Sequence, residues 1–146
     1  MALTVELKPG ERFIIGDTVI INDSGNRNVS GAARLHIFGD APMLREKDIM
    51  MDKEANSPCK QIYLLVQSIF LTRAPEKYAE AYLSLVRQIQ EGEPGTAPYF
   101  MRINEMIQGG AYYKALKETR KLVNYEQELL STGIARRAGF IDEGLI

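Results

Sequence analysis

Apolar and polar residues alternate along the first third of the chain. Leu3-Thr4-Val5-Glu6-Leu7 places an apolar side chain at every second position, the period of a strand with one buried face and one wet face. Pro9-Gly10 turns the chain, Arg12 to Ile15 forms a second strand, Gly16-Asp17 a tight hairpin connection and Thr18 to Ile21 the returning strand. Asn22 to Ser30 is a polar, glycine-bearing loop, whose Asn28-Val29-Ser30 sequon is a chance match in an intracellular protein. A fourth strand sets Ala33, Leu35 and Ile37 on one face and Arg34, His36 and Phe38 on the other. Gly39-Asp40-Ala41-Pro42 breaks it, Met43-Leu44-Arg45 is a short fifth strand, and Glu46 to Met51 is a helical turn or short helix. These runs lie too close together for helices between them, so the pattern predicts a small antiparallel β-module.

The period changes at Asn56-Ser57-Pro58. A serine followed by proline at the first helical position starts a helix, and Ile62, Leu65, Val66, Ile69 and Phe70 follow at helical spacing to about Thr72. Ala74-Pro75-Glu76 opens a second helix with Tyr78, Ala81, Tyr82, Leu85 and Ile89 on one face, ended by Glu91-Gly-Glu-Pro-Gly95. Ala97 to Gln108 is a third, carrying Phe100, Ile103, Met106 and Ile107, and Gly109-Gly110 either ends it or kinks a longer one. In the last helix, Tyr112 to Leu130, apolar Leu116, Val123 and Leu130 recur every seven residues, close to a coiled-coil seam. The expected fold class is therefore α+β: a β-module over residues 1–55, an α-helical bundle over 56–131, and a flexible tail over 132–146 that holds Arg136-Arg137.

Composition narrows the function classes. The 146 residues suit one domain or a small module fused to a larger one. With 18 Lys and Arg against 19 Asp and Glu, the chain is no bulk polyanion binder, so any nucleic-acid site must be a local cluster. Cys59 is the single cysteine, which excludes an intrachain disulfide and points to a reducing, cytoplasmic compartment. No apolar run approaches membrane-spanning length, and the start of the chain lacks a secretory signal pattern.

Little here supports catalysis. One histidine and one cysteine give no nucleophile–base pair and no metal cluster, and neither Gly16-Asp17 nor Gly109-Gly110 belongs to a phosphate-binding fingerprint. His36 on an alternating strand reads as a partly exposed surface histidine, and Cys59 at a helix start as a packing residue. The chain is expected not to be an enzyme and to need no cofactor. Binding remains. Lys8, Arg34, Arg45 and Lys47 cluster along the β-module, and spacing alone leaves them divided between solvated charge and a binding role. Residues 1–56 carry seven basic side chains against nine acids, so RNA contact there would rest on strand-edge backbone groups and a few arginines, a mode suited to single strands.

The stretch Gly10-Glu11-Arg12-Phe13-Ile14-Ile15-Gly16-Asp17-Thr18-Val19, followed in order by Arg34, Ala41-Pro42 and Arg45-Glu46, resembles the carbon storage regulator family (CsrA/RsmA) of messenger-RNA binders. That resemblance implies a CsrA-like β-module in which Arg45 contacts RNA. Lys8 keeps one charge of the family's basic pair after the first strand, and Leu7 replaces the other. Thr4 on the first strand, Arg34 and Lys47 complete the implied RNA site. Modules of that family exchange strands between two chains, and a β-module this small buries little apolar surface alone, so a homodimer is expected. In it the first strand of one chain would lie beside the Arg45 segment of the other.

Over nearly its full length the chain resembles the FlbT family, through LKPGERFIIGD, LREKDIM at residues 44–50, Ser57-Pro58 with IYLLVQSIFL, and GGAYYKALKETRKL. The resemblance implies a cytoplasmic regulator that acts on the 5′ untranslated region of flagellin mRNA, usually to repress it, with FlaF or flagellin as partner. A rival from another class is a protein-binding adaptor or chaperone in flagellar assembly. It would dock through the last helix at Tyr112, Leu116 and Val123 and act on mRNA indirectly.

Overall fold

The alternation of the first third becomes five strands in the computed structural model, which describes residues 2–24 and 31–132. They are β1 (Ala2–Leu7), β2 (Arg12–Ile15), β3 (Thr18–Ile21), β4 (Ala33–Phe38) and β5 (Met43–Arg45). β1 and β4 pair antiparallel in a two-stranded sheet, with Ala2 opposite Phe38, Thr4 opposite His36 and Glu6 opposite Arg34. The second sheet runs in the order β3-β2-β5, antiparallel throughout. Val5, Leu7 and Phe13 are buried, with Leu3, Ile15, Ile20, Leu35, Ile37 and Met43 packed around them, and Ile14 and Leu44, paired on the opposite face of β2 and β5, are buried as well. Phe13 is fully enclosed. Cutting it back to alanine would cost about 3–5 kcal/mol, a large part of the stability of so small a module.

Glycine is needed at Gly16, whose φ of 57° makes the β2–β3 hairpin, and at Gly10, whose φ of 81° turns β1 toward β2. Asn22 ties the module's ends together. Its side-chain amide donates to the carbonyls of Leu7 at 2.8 Å and Gly31 at 2.5 Å, and its backbone carbonyl accepts from the Gly10 N–H at 2.7 Å.

The chain divides into two compact units, Met1–Ile49 and Met50–Ile146. The division falls a few residues ahead of the expected boundary after residue 55, and Gln67 supplies the reason. Its buried amide donates to the Met50 carbonyl at 2.9 Å and accepts from the Met50 N–H at 2.8 Å, so the approach to the first helix belongs to the helical unit.

That unit contains α1 (Pro58–Thr72), α2 (Ala79–Gly92), α3 (Ala97–Gln108) and α4 (Tyr112–Thr132). Ser57 caps α1 by accepting from the Lys60 N–H, and Pro58 takes the first helical position, where its missing N–H costs nothing. Arg73 ends the helix in the left-handed region at φ 55°. The Gly109-Gly110 pair ends α3 instead of kinking a longer helix, since Gly110 turns at φ 77° and α4 starts two residues later. α4 packs on α1 and α3, and α2 on α1, around a core that includes Ile62, Val66, Phe100, Ile103, Leu116 and Leu122. On α2 the buried line is Tyr82, Val86 and Ile89, spaced i, i+4, i+7; Ala81, expected on that face, is exposed. The tail from residue 133 on, including Arg136-Arg137, and residues 25–30 with the Asn28-Val29-Ser30 sequon lie outside the described residues.

Candidate nucleic-acid interface

Among the described residues β1 and β5 each have a ladder partner on one side only, so each presents a strand edge on the other. A cleft of about 260 Å³ lies where Val5, Glu6, Leu7 and Lys8 of the first strand and its turn meet Arg45, Glu46 and Lys47. Phe13 and Glu11 complete its lining. Val5, Leu7 and Phe13 give it an apolar floor, and Lys8, Arg45 and Lys47, all exposed, give it a basic rim. One chain therefore brings together three of the expected RNA-contacting residues, Lys8, Arg45 and Lys47. The Lys8 and Arg45 segments, expected side by side across two chains of a dimer, share this cleft within one chain.

The acids of the cleft are each engaged. Glu46 Oε1 accepts from the Arg12 backbone N–H at 2.7 Å and from Nε at 3.1 Å, while Oε2 accepts from Nη2 at 2.6 Å. The hydrogen-bonded Arg12 guanidinium holds the Glu46 carboxyl below the usual carboxylate range, against an opposing push from partial burial. Glu11 accepts the Lys8 backbone N–H at 2.7 Å, and Glu6 pairs with Arg34 at 3.4 Å. The lining itself carries three basic groups, Lys8, Arg45 and Lys47, against three acids, Glu6, Glu11 and Glu46, and Arg12, bonded to Glu46, brings the local balance to one positive charge although the module as a whole is not positive.

Two expected RNA residues sit elsewhere. Thr4 and Arg34 point outward from the β1–β4 sheet, where Thr4 Oγ1 lies 3.1 Å from His36 Nδ1. Arg34 reaches the cleft only through Glu6. The expected docking residues on α4 are corrected by their burial: Leu116 is 1% exposed and Val123 3%, so the seven-residue seam is packed against the unit's own helices. Tyr112 is half-buried at the start of α4. Cys59 is enclosed, and burial, followed by the Glu126 carboxylate, pushes its thiol pKa well up. Among the described residues no group of three or more metal-ligating side chains is present, and no helix is long and apolar enough to cross a membrane.

Sequence reasoning missed Glu11, Glu46 and Arg12 as parts of the site. The Arg45-Glu46 pair was the available signal, since an acid following the exposed arginine is placed to be held by a cation on the neighbouring strand.

These features define an α+β protein whose small β-module carries a basic strand-edge cleft ahead of a four-helix unit. The family model described as flagellar protein FlbT matches residues 3–130, and the chain belongs to the FlbT family. It is 43% identical over 130 residues to the probable flagellum biosynthesis repressor protein FlbT 1 of Bradyrhizobium diazoefficiens, covering 88% of this chain and 85% of the relative. It is 41% identical over 131 residues to the probable repressor FlbT of Rhodopseudomonas palustris strain TIE-1, covering 90% and 99%. With the flagellum biosynthesis repressor protein FlbT of Caulobacter vibrioides strain ATCC 19089 it shares 32% identity over 141 residues, covering 92% and 96%. No solved structure matches the chain.

Proposed function

We propose that this protein regulates flagellar synthesis after transcription, by binding single-stranded RNA in the 5′ untranslated region of flagellin mRNA through the β-module cleft and repressing its use. The relatives named as flagellum biosynthesis repressors support the regulatory part. The observation that carries the RNA part is the cleft itself, in which Lys8, Arg45 and Lys47 rim two open strand edges. Open backbone groups and a few cations are what a reader of unpaired bases needs, and the near-neutral chain explains why binding would be local. On this reading the module is CsrA-like in its chemistry. A homodimer would then add a second equivalent site and would not be required to complete the first.

The test is titration of the purified protein with the flagellin 5′ untranslated region, against an unrelated RNA and against salt. Specific binding with a shallow salt slope is expected, with Arg45→Ala weakening it about tenfold (~1.4 kcal/mol) in a folded protein. Absence of specific binding would replace this reading with that of a protein-binding adaptor.

A further inference from the structure

The outward face of the β1–β4 sheet has no role in the core. On β4 the inward residues Leu35 and Ile37 pack against the core cluster, and the outward residues are Arg34, His36 and Phe38, all exposed. Phe38 is 79% exposed, more than any other large apolar side chain among the described residues. A phenylalanine so placed contributes little to folding. We infer that Arg34, His36 and Phe38 form a stacking platform for unpaired bases of a single-stranded RNA that enters from the cleft. This rests on the RNA reading above and extends it to a second surface.

The three side chains end in a guanidinium, an imidazole and a phenyl ring. These flat groups are the ones on which unstacked RNA bases lie. They recur at every second position of one strand, about 6.7 Å apart, which allows one base per side chain. The facing strand prepares each of them. Ala2 stands opposite Phe38 and is too small to cover the ring. Thr4 Oγ1 lies 3.1 Å from His36 Nδ1 and sets the imidazole plane, and Glu6 pairs with Arg34 at 3.4 Å. That last pair is exposed on both sides, so a base or phosphate can displace it at small cost. Glu6 also lines the cleft, so the row begins at the cleft rim and runs outward to Phe38. A protein partner fits the face less well, because Phe38 is its one large apolar side chain, among Thr4, Glu6, Arg34 and His36.

The chain contains no tryptophan, so Phe38→Trp places a single indole reporter on the platform. The full-length protein is titrated with an oligouridylate of about twelve nucleotides, within the length range of single-strand sites, and with the flagellin 5′ untranslated region. The expected result is quenching of the indole emission of the Phe38→Trp protein, at an affinity close to that of the unmodified protein. Phe38→Ala and Phe38→Leu should both bind about five- to fiftyfold more weakly, with an unchanged salt slope because no phosphate contact is lost. RNA binding by the unmodified protein with Phe38→Ala equally tight, with Phe38→Leu restoring full affinity, or without quenching, overturns the platform and leaves the cleft standing. If the unmodified protein binds no RNA, the RNA reading fails and the platform with it.

Discussion

The Cys59 backbone N–H donates to Glu126 Oε2 at 3.0 Å, so a carboxylate from the last helix closes the N-terminus of the first. Its other oxygen accepts the Ser57 hydroxyl, and Ser57 Oγ in turn accepts from the Lys60 N–H at 3.3 Å. Glu126 is fully enclosed, and the first turn of α1 offers it N–H donors at the positive end of the helix dipole. A buried carboxylate is tolerated there because the Cys59 N–H and the Ser57 hydroxyl both donate to it. The capping chain also fixes how α4 lies on α1.

Removal of that carboxylate strands the donors. Glu126→Ala should lower the stability of the helical unit by about 2–4 kcal/mol, since it combines loss of a cap with loss of a charge-assisted buried hydrogen bond. Glu126→Gln should lose less, because its carbonyl still accepts from Cys59. Urea unfolding followed by circular dichroism measures both, and equal, negligible losses would mean that the cap contributes nothing.

How far the chain could be read in advance differs between local and distant features. The strands β2, β3 and β4, the helix entry at Ser57-Pro58 and the end of α3 at its glycines follow from rules acting within a few residues, and they appear where the pattern puts them. Glu126, Gln67 and Asn22 were not legible as structural residues. Each has partners far along the chain: Glu126 bonds Ser57 69 positions away, and Gln67 bonds Met50 17 away. No periodicity carries that information. Leu116 and Val123 show the converse error, because a seven-residue seam looks the same whether it faces a partner or the chain's own helices. The cleft was legible as a set of cations, but its acids entered the sequence reading only as a count against them.

The Arg12–Glu46 pair gives the β-module a pH dependence. Glu46 has a lower pKa folded than unfolded, chiefly through its hydrogen bonds from Arg12, so its contribution is complete above the usual carboxylate range. It is lost as the pH falls below that range and through the lowered folded value. Both side chains are partly exposed, so the pair contributes only about 1 kcal/mol. Unfolding measured from pH 7 down to pH 3 should show the loss in the unmodified protein, and Glu46→Gln should flatten that part of the curve. A wild-type slope retained in Glu46→Gln would assign it to other carboxylates.

Cys59 should behave as an inert thiol. It has no solvent exposure, and its raised pKa removes the thiolate on which alkylation depends. Iodoacetamide labelling at neutral pH is expected to be negligible in the native protein and to rise with urea in step with unfolding of the helical unit. Rapid labelling without denaturant would show a local opening at the start of α1.

Lys8 separates phosphate contact from base reading. It is exposed on the cleft rim, and its backbone is held by the Glu11 carboxylate at 2.7 Å, so shortening its side chain leaves the turn in place. Lys8→Ala should weaken binding to the flagellin 5′ untranslated region and to unrelated single strands by the same factor, and lower the logarithmic salt slope by about 0.7. A loss confined to the flagellin RNA would make Lys8 a base-reading residue. A loss with no change in slope would remove phosphate contact from its role. Arg45→Ala measured in parallel tells the two positions apart, because a residue that reads a base changes the ratio of specific to unrelated RNA, and one that neutralises a phosphate does not.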